Sequence, residues 1–195
     1  KDSGGMLRRV AMAIRVPAGA SGPLPVVIWS HGGPYGQSNP TNVMLEWSLA
    51  TASAGYMTVS IAHPSRDNAS RLLLCAAPPL EIDSAGCEFF KHLVWDRPHD
   101  IGAVINELER LNATGQFQGQ IDLARIAVGG HSAGAGGAVT VAGALRNFSG
   151  IPIDLSDPRP AAFMALIAPS RTASPISIFP SSAKPAIWAA SSATF

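Results

Sequence analysis

The chain is short of charge, short of cysteine and without a long apolar run. Asp, Glu, Lys and Arg make up only 14% of its 195 residues, and the formal net charge is +1. That balance leaves no electrostatic footprint for a polyanion or an anionic membrane surface, so no nucleic-acid partner is expected. No apolar stretch approaches the roughly 20 residues that a bilayer-crossing helix needs, so no membrane span is expected. The two cysteines, Cys75 and Cys87, come with no His/Cys spacing of the kind that binds zinc. Neither a metal nor an organic cofactor is implied. Both cysteines stand in one Pro/Ala-rich segment. A local disulfide there would pin the segment and point to an oxidising compartment, secreted or periplasmic; two unrelated thiols in a cytosolic protein are the other reading. The chain opens on Lys1, with nothing that resembles a signal peptide, so export cannot be read from the N-terminus. Oligomeric state leaves no mark in the sequence.

What is present is apolar. Hydrophobic residues make up 47% of a chain whose length suits one domain, 1–195, with a sizeable core. Leu7 to Val16 alternates, placing Val10, Met12, Ile14 and Val16 on one face of an outer antiparallel strand. Val26-Val27-Ile28-Trp29 and Met57 to Ala62 are short continuous apolar runs, the pattern of strands covered on both faces. Further strands are expected at Ile126–Val128, Phe163–Ile167 and Pro185–Ala189, and helices at Val43–Ala54 and Ala133–Leu145. From Pro64 to Asp96 the periodicity dissolves, which reads as a loop insertion at about 64–96. Asp96 then looks like an N-cap with Pro98 in the opening turn, and Ile101, Val104, Ile105, Leu108 and Leu111 recur at helical spacing. Alternation of strand and helix predicts an α/β architecture, a mostly parallel sheet with helices on both faces.

Gly130-His131-Ser132-Ala133-Gly134 fits G-x-S-x-G between an expected strand and an expected helix. Glycines two residues either side of the serine are required where a sharp turn lifts its hydroxyl above the sheet, because a Cβ there would strike neighbouring backbone. Ser132 is the candidate nucleophile, and the N–H of Ala133, at the helix N-terminus, is a candidate oxyanion donor. The turn Ser30-His31-Gly32-Gly33-Pro34 follows an early strand and offers the Gly33 N–H as the second donor. Tyr35, next to that turn, either lines a substrate pocket or packs the loop.

Taken in order, SHGG at 30–33, AHP at 62–64, DRPHDI at 96–101, IDLARIAVGGHSAG at 121–134 and FMALIAPS at 163–170 resemble the α/β-hydrolase superfamily. Within it, the pattern is similar to the dienelactone-hydrolase-like and platelet-activating-factor-acetylhydrolase-like esterases. Dienelactone hydrolases proper use a cysteine where this chain has Ser132, which favours the esterase branch. The resemblance implies a carboxylic ester hydrolase working through an acyl-enzyme on a small-molecule ester, with the order Ser, Asp or Glu, His. Here the chain departs from the pattern. After Ser132 the only carboxylates are Asp154 and Asp157, and no histidine follows. His63 ends a central strand and is expected to be structural, and His92 and His99 are expected to face solvent or cap a helix. The acid and base are therefore expected beyond residue 195, in a longer hydrolase of which this is a piece lacking the last strand and helix. A naturally shortened, inactive relative is the alternative. His31-Gly32-Gly33-Pro34 also resembles prolyl-oligopeptidase-type peptidases, and a non-catalytic hydrolase-fold binding module is the remaining reading.

Overall fold

The computed structural model describes residues 8–33, 36–87, 91–148, 150–166 and 186–189, the last four as backbone. Six strands form one sheet in the order β1 (Ala11–Arg15), β3 (Met57–Ala62), β2 (Leu24–Ser30), β4 (Ile121–His131), β7 (Ala162–Leu166), β8 (Ala186–Ala189). β1 runs antiparallel to β3, and every other pairing is parallel. The two continuous apolar runs are the buried strands β2 and β3, as expected of strands covered on both faces. Val10, Met12 and Ile14 pack on the main core, whereas Val16, expected on the same face, lies past the end of β1 and is exposed.

One face of the sheet carries the larger core. Val26, Ile28, Val59 and Val128 meet Ile101, Ile105 and Leu108 of α3 (Lys91–Thr114), and Ala138 and Val141 of α4 (Ala133–Val141). The other face buries Val27 and Trp29 beneath α1 (Leu45–Ser53), where the Trp29 Nε1–H donates to Thr51 Oγ1 at 3.2 Å. Trp29 also explains a glycine in β4: a Cβ at Gly129, its neighbour in register, would come 2.4 Å from the indole ring.

The stretch expected as a loop insertion is partly helical. Asp67 caps α2 (Asn68–Ala76) by accepting from Ser70 N–H at 2.7 Å. Cys75 at its end is joined to Cys87 by a disulfide, and both are buried in a satellite core with Leu74, Leu80, Trp95 and Phe148. α3 starts at Lys91, so Asp96 is not its N-cap and Pro98 lies inside the helix. The reason is electrostatic: the Asp96 carboxylate is turned to Arg66, whose Nε and Nη2 donate at 2.7 Å each, and to Arg8 at 3.3 Å. A small antiparallel pair, β5 (Arg146–Phe148) and β6 (Ile151–Ile153), follows α4, and α4 itself stops at Val141, before the expected Leu145. Among the described residues no helix is long and apolar enough to cross a membrane.

Candidate active site

The carboxyl ends of parallel strands, at a point where the chain order reverses, are where α/β sheets build sites. Here β2 is flanked by β3 on one side and β4 on the other. Ser30, His63 and Ser132 stand at or just past the ends of these three strands.

Ser132 occupies a turn that non-glycine residues avoid, at φ 52° and ψ −114°. Such a conformation costs of order 1–3 kcal/mol and persists only where its surroundings enforce it. The enforcing contacts are visible. Ser132 N–H donates to Leu166 O at 3.0 Å and its carbonyl accepts from Gly136 N–H at 3.0 Å. A Cβ at Gly130 would lie 2.4 Å from the Gly134 carbonyl carbon, and one at Gly134 only 2.1 Å from Ser30 O. The side chain of Ser132 is exposed, at the N-terminal end of α4, and Ala133 is the first residue of that helix. A peptide dipole of that sense favours negative charge at Ser132.

The turn 30–33 lies against the same place. A Cβ at Gly32 would sit 3.2 Å from Ser132 Cβ and 2.7 Å from His131 Nδ1, so only glycine lets this backbone approach. Gly33 has φ +84°, a conformation that glycine adopts without strain. Tyr35 lies outside the described residues.

All five histidines are described, and none hydrogen-bonds to Ser132. His99 is exposed and its Nδ1–H donates to Trp95 O at 2.7 Å. His92, expected near solvent, is buried, because α3 begins ahead of it and carries it into the packed side of the helix. His63, expected to be structural, is buried in a hydrogen-bonded chain. Its Nδ1–H donates to Asp100 Oδ2 at 2.9 Å, and its Nε2 accepts from the Ser30 hydroxyl at 2.8 Å. Burial, helped by the charge of Arg97, pushes this ring down to about 3, although the Asp100 hydrogen bond works the other way. It is therefore neutral at pH 7, as that bonding pattern requires. Burial acts to raise Asp100, but the hydrogen bond from His63 and the charge and hydrogen bond of Arg8 outweigh it and hold the carboxyl below its ordinary range. His31 is also held low, by burial and then by Arg97.

Arg97 and Asp100 carry no assigned role in the sequence reading, where they appear only within DRPHDI. Their spacing held the signal: Arg97 stands four residues before Ile101 and Asp100 four before Val104, on the apolar stripe that faces the sheet. Arg97 is 1% exposed, and burial lowers its guanidinium to about 10, leaving it charged at neutral pH.

A crevice of about 580 Å³ runs along α3 between Trp95 and Arg159 and includes neither Ser132 nor Gly33. Among the described residues no three His, Cys, Asp or Glu side chains converge as metal ligands do.

No family model matches the chain, and no curated protein matches it. Solved structures do. The propionate-bound thermophilic esterase Est2 of the planctomycete Thermogutta terrifontis superposes with a TM-score of 0.50 at 15% identity, over 80% of this chain and 49% of that one. Its native form gives the same TM-score and identity, over 80% and 48%. An acetyl xylan esterase from Paenibacillus sp. R4 shares 21% identity over 80% of this chain and 44% of its own, with a TM-score of 0.47. This chain spans about half the length of these esterases. Together with the sheet order and the helices on both faces, the likeness to Est2 shows an α/β-hydrolase fold.

Proposed function

We propose that this chain carries the nucleophile and the oxyanion donors of a carboxylic ester hydrolase. The observation that carries the reading is Ser132: an exposed serine held at positive φ on the N-terminus of α4, with the Gly32 backbone pressed against it. A strained backbone that presents a hydroxyl at a helix N-terminus has a use in acyl transfer, where the hydroxyl attacks and the dipole steadies the charge that forms. In this reading Ser132 Oγ attacks the ester carbonyl and loses its proton to a base, and the carbonyl oxygen becomes an oxyanion. Ala133 N–H and Gly33 N–H donate to that oxygen. Collapse expels the alcohol, protonated by the same base, and water then releases the acid from Ser132. No histidine of this chain is bonded to Ser132, so the base and its carboxylate partner are assigned to the full-length protein and not to any described residue.

The motif series supports placement beside the dienelactone-hydrolase-like and platelet-activating-factor-acetylhydrolase-like esterases, with Tyr35 as a pocket residue. The buried disulfide supports an oxidising compartment. The absence of any histidine hydrogen-bonded to Ser132 among the described residues favours a second reading, a hydrolase-fold binding module without catalysis.

The test is hydrolysis of p-nitrophenyl acetate by the full-length protein and by its Ser132→Ala variant. The esterase reading expects Ser132→Ala to lower the rate by about 10³-fold or more. Cleavage of a Pro-p-nitroanilide in preference to the ester would move the assignment to a peptidase. Absence of hydrolysis with either substrate, and no difference between the two proteins, would leave the binding module.

A further inference from the structure

Arg97 reaches from α3 across Gly137 of α4, where a Cβ would come 3.0 Å from its own Cβ, and ends under the turn 30–33. Its Nη1–H donates to His31 O at 2.6 Å, and its Nη2–H donates to Gly33 O at 3.1 Å. The carbonyl between them is held too, since Gly32 O accepts from the His31 ring Nδ1–H at 2.7 Å. That tautomer is fixed in turn, because His31 Nε2 accepts from the His63 backbone N–H at 3.3 Å. Three consecutive carbonyls of the turn are thus tied down on one side.

A trans peptide is planar, and its N–H points opposite to its C=O. Pinning His31 O therefore aims the Gly32 N–H, and pinning Gly32 O aims the Gly33 N–H. Neither N–H has a partner among the described residues. Gly32 and Gly33 are free to rotate by themselves, so the direction has to come from whatever binds the carbonyls. Oxyanion donors work only when preset to the position the charge will take.

We propose that Arg97 is a positioning residue for the turn beside Ser132: through His31 O it sets the direction of the Gly32 N–H, and by holding Gly33 O it keeps in place Gly33, whose own N–H is aimed by the His31 ring through Gly32 O. This rests on the ester hydrolase reading above and extends it to a residue that never touches substrate. Its own seat is built by neighbours. Asp100, fixed by His63 and by Arg8 at 2.9 Å, lies one helical turn along α3, and Ser30 Oγ stands 3.5 Å from Nη1. The fork shape matters, because one side chain spans two carbonyls. Lysine, a point donor, reaches only one.

The experiment compares full-length wild type with Arg97→Lys and Arg97→Met. Thermal unfolding confirms the folded state, and active serines are counted with a fluorophosphonate. Per active serine, Arg97→Met is expected to lower kcat for p-nitrophenyl acetate by about 10²-fold, the scale of one lost oxyanion donor, with KM changed less than about threefold. The Ki of phenylboronic acid, which forms a tetrahedral adduct, should rise by a factor close to the loss in kcat/KM. Arg97→Lys should fall between. A merely structural role would lower the count of active serines and leave kcat per serine and the boronate Ki at wild-type values; that result overturns the proposal. Should Arg97→Met not fold, Arg97→Lys alone decides it on the same two readouts. Amide hydrogen exchange over 30–33 needs no activity: faster exchange in the variants supports the positioning, and unchanged exchange refutes it. If wild type and Ser132→Ala are equally inert, the ester hydrolase reading fails, and exchange alone judges whether Arg97 orders the turn.

Discussion

Lowering the pH from about 7.5 to about 5 should destabilise this protein through His63 more than through any carboxylate. The ring is buried, its ordinary value of 6.5 falls to about 3, and the native protein keeps it neutral throughout that range. The unfolded chain does not. Below pH 6.5 the unfolded state binds a proton that the native state refuses, so stability is lost as pH falls from 6.5 toward 3 and is unaffected above 6.5. At pH 5 the solution stands about a unit and a half below the ordinary value, and at 1.36 kcal/mol per unit the loss is about 2 kcal/mol. The groups that face the ring are Ser30, His31, Arg97 and Asp100. Asp100 is ionised in both states above pH 5, since its native value lies below 3.8. His31 is lowered as well and adds to the loss with the same sign.

His63→Asn separates the two histidines, because its amide can still donate to Asp100. Urea unfolding at both pH values should show wild type losing about 2 kcal/mol more than the variant on acidification. Nitrogen-15 NMR of the ring reads the same claim directly, with a neutral Nδ1–H tautomer expected at pH 5. An imidazolium signal at pH 5, or equal pH dependence in the two proteins, would refute the reasoning.

Two glycines of α4 should respond in opposite directions. Gly134→Ala puts a methyl 2.1 Å from Ser30 O, backbone that cannot swing away, and should cost more than about 3 kcal/mol or prevent folding. Gly136→Ala meets nothing nearer than Arg146 Nη2 at 3.8 Å and should stabilise the protein by about 0.5–1 kcal/mol of helix propensity, read as a higher Tm. The disulfide closes a loop of 12 residues' separation, so the Cys75→Ser/Cys87→Ser pair should lower the stability measured by urea unfolding by about 2–3 kcal/mol.

How much of this was legible depended on how local the signal is. Continuous apolar runs gave β2 and β3, and alternation gave β1, because burial on one face or two leaves a mark in consecutive residues. The turn at Ser132 was legible for the same reason: Gly130 and Gly134 answer to clashes within a few residues and one neighbouring strand. The start of α3 was not legible. Asp96 and Pro98 have the composition of a helix opening, and only Arg66 and Arg8, distant in sequence, turn that aspartate to another use. α2 left a capping signal at Asp67 and Ser70 that the surrounding Pro/Ala-rich sequence obscured. The bonds of Arg97 to His31 and Gly33 span more than sixty residues, and no local pattern announces such a pairing.

Two serines in this site meet opposite halves of what a nucleophile needs. Ser30 has the bonds: its hydroxyl donates to His63, and His63 donates to Asp100, the connectivity of a hydrolytic triad. Yet Ser30 is fully buried on a regular strand, and a histidine lowered to about 3 accepts almost no proton near neutrality, so this base is too weak to deprotonate a hydroxyl. Ser132 has the access, the strained turn and the helix N-terminus, and no base bonded to it among the described residues. The first set therefore serves as a clamp that joins the ends of β2 and β3 to α3 and seats Arg97 beneath the 30–33 turn. In the esterase reading, hydrogen-bond geometry alone would name Ser30, whereas exposure and proton affinity favour Ser132 as the proposed nucleophile.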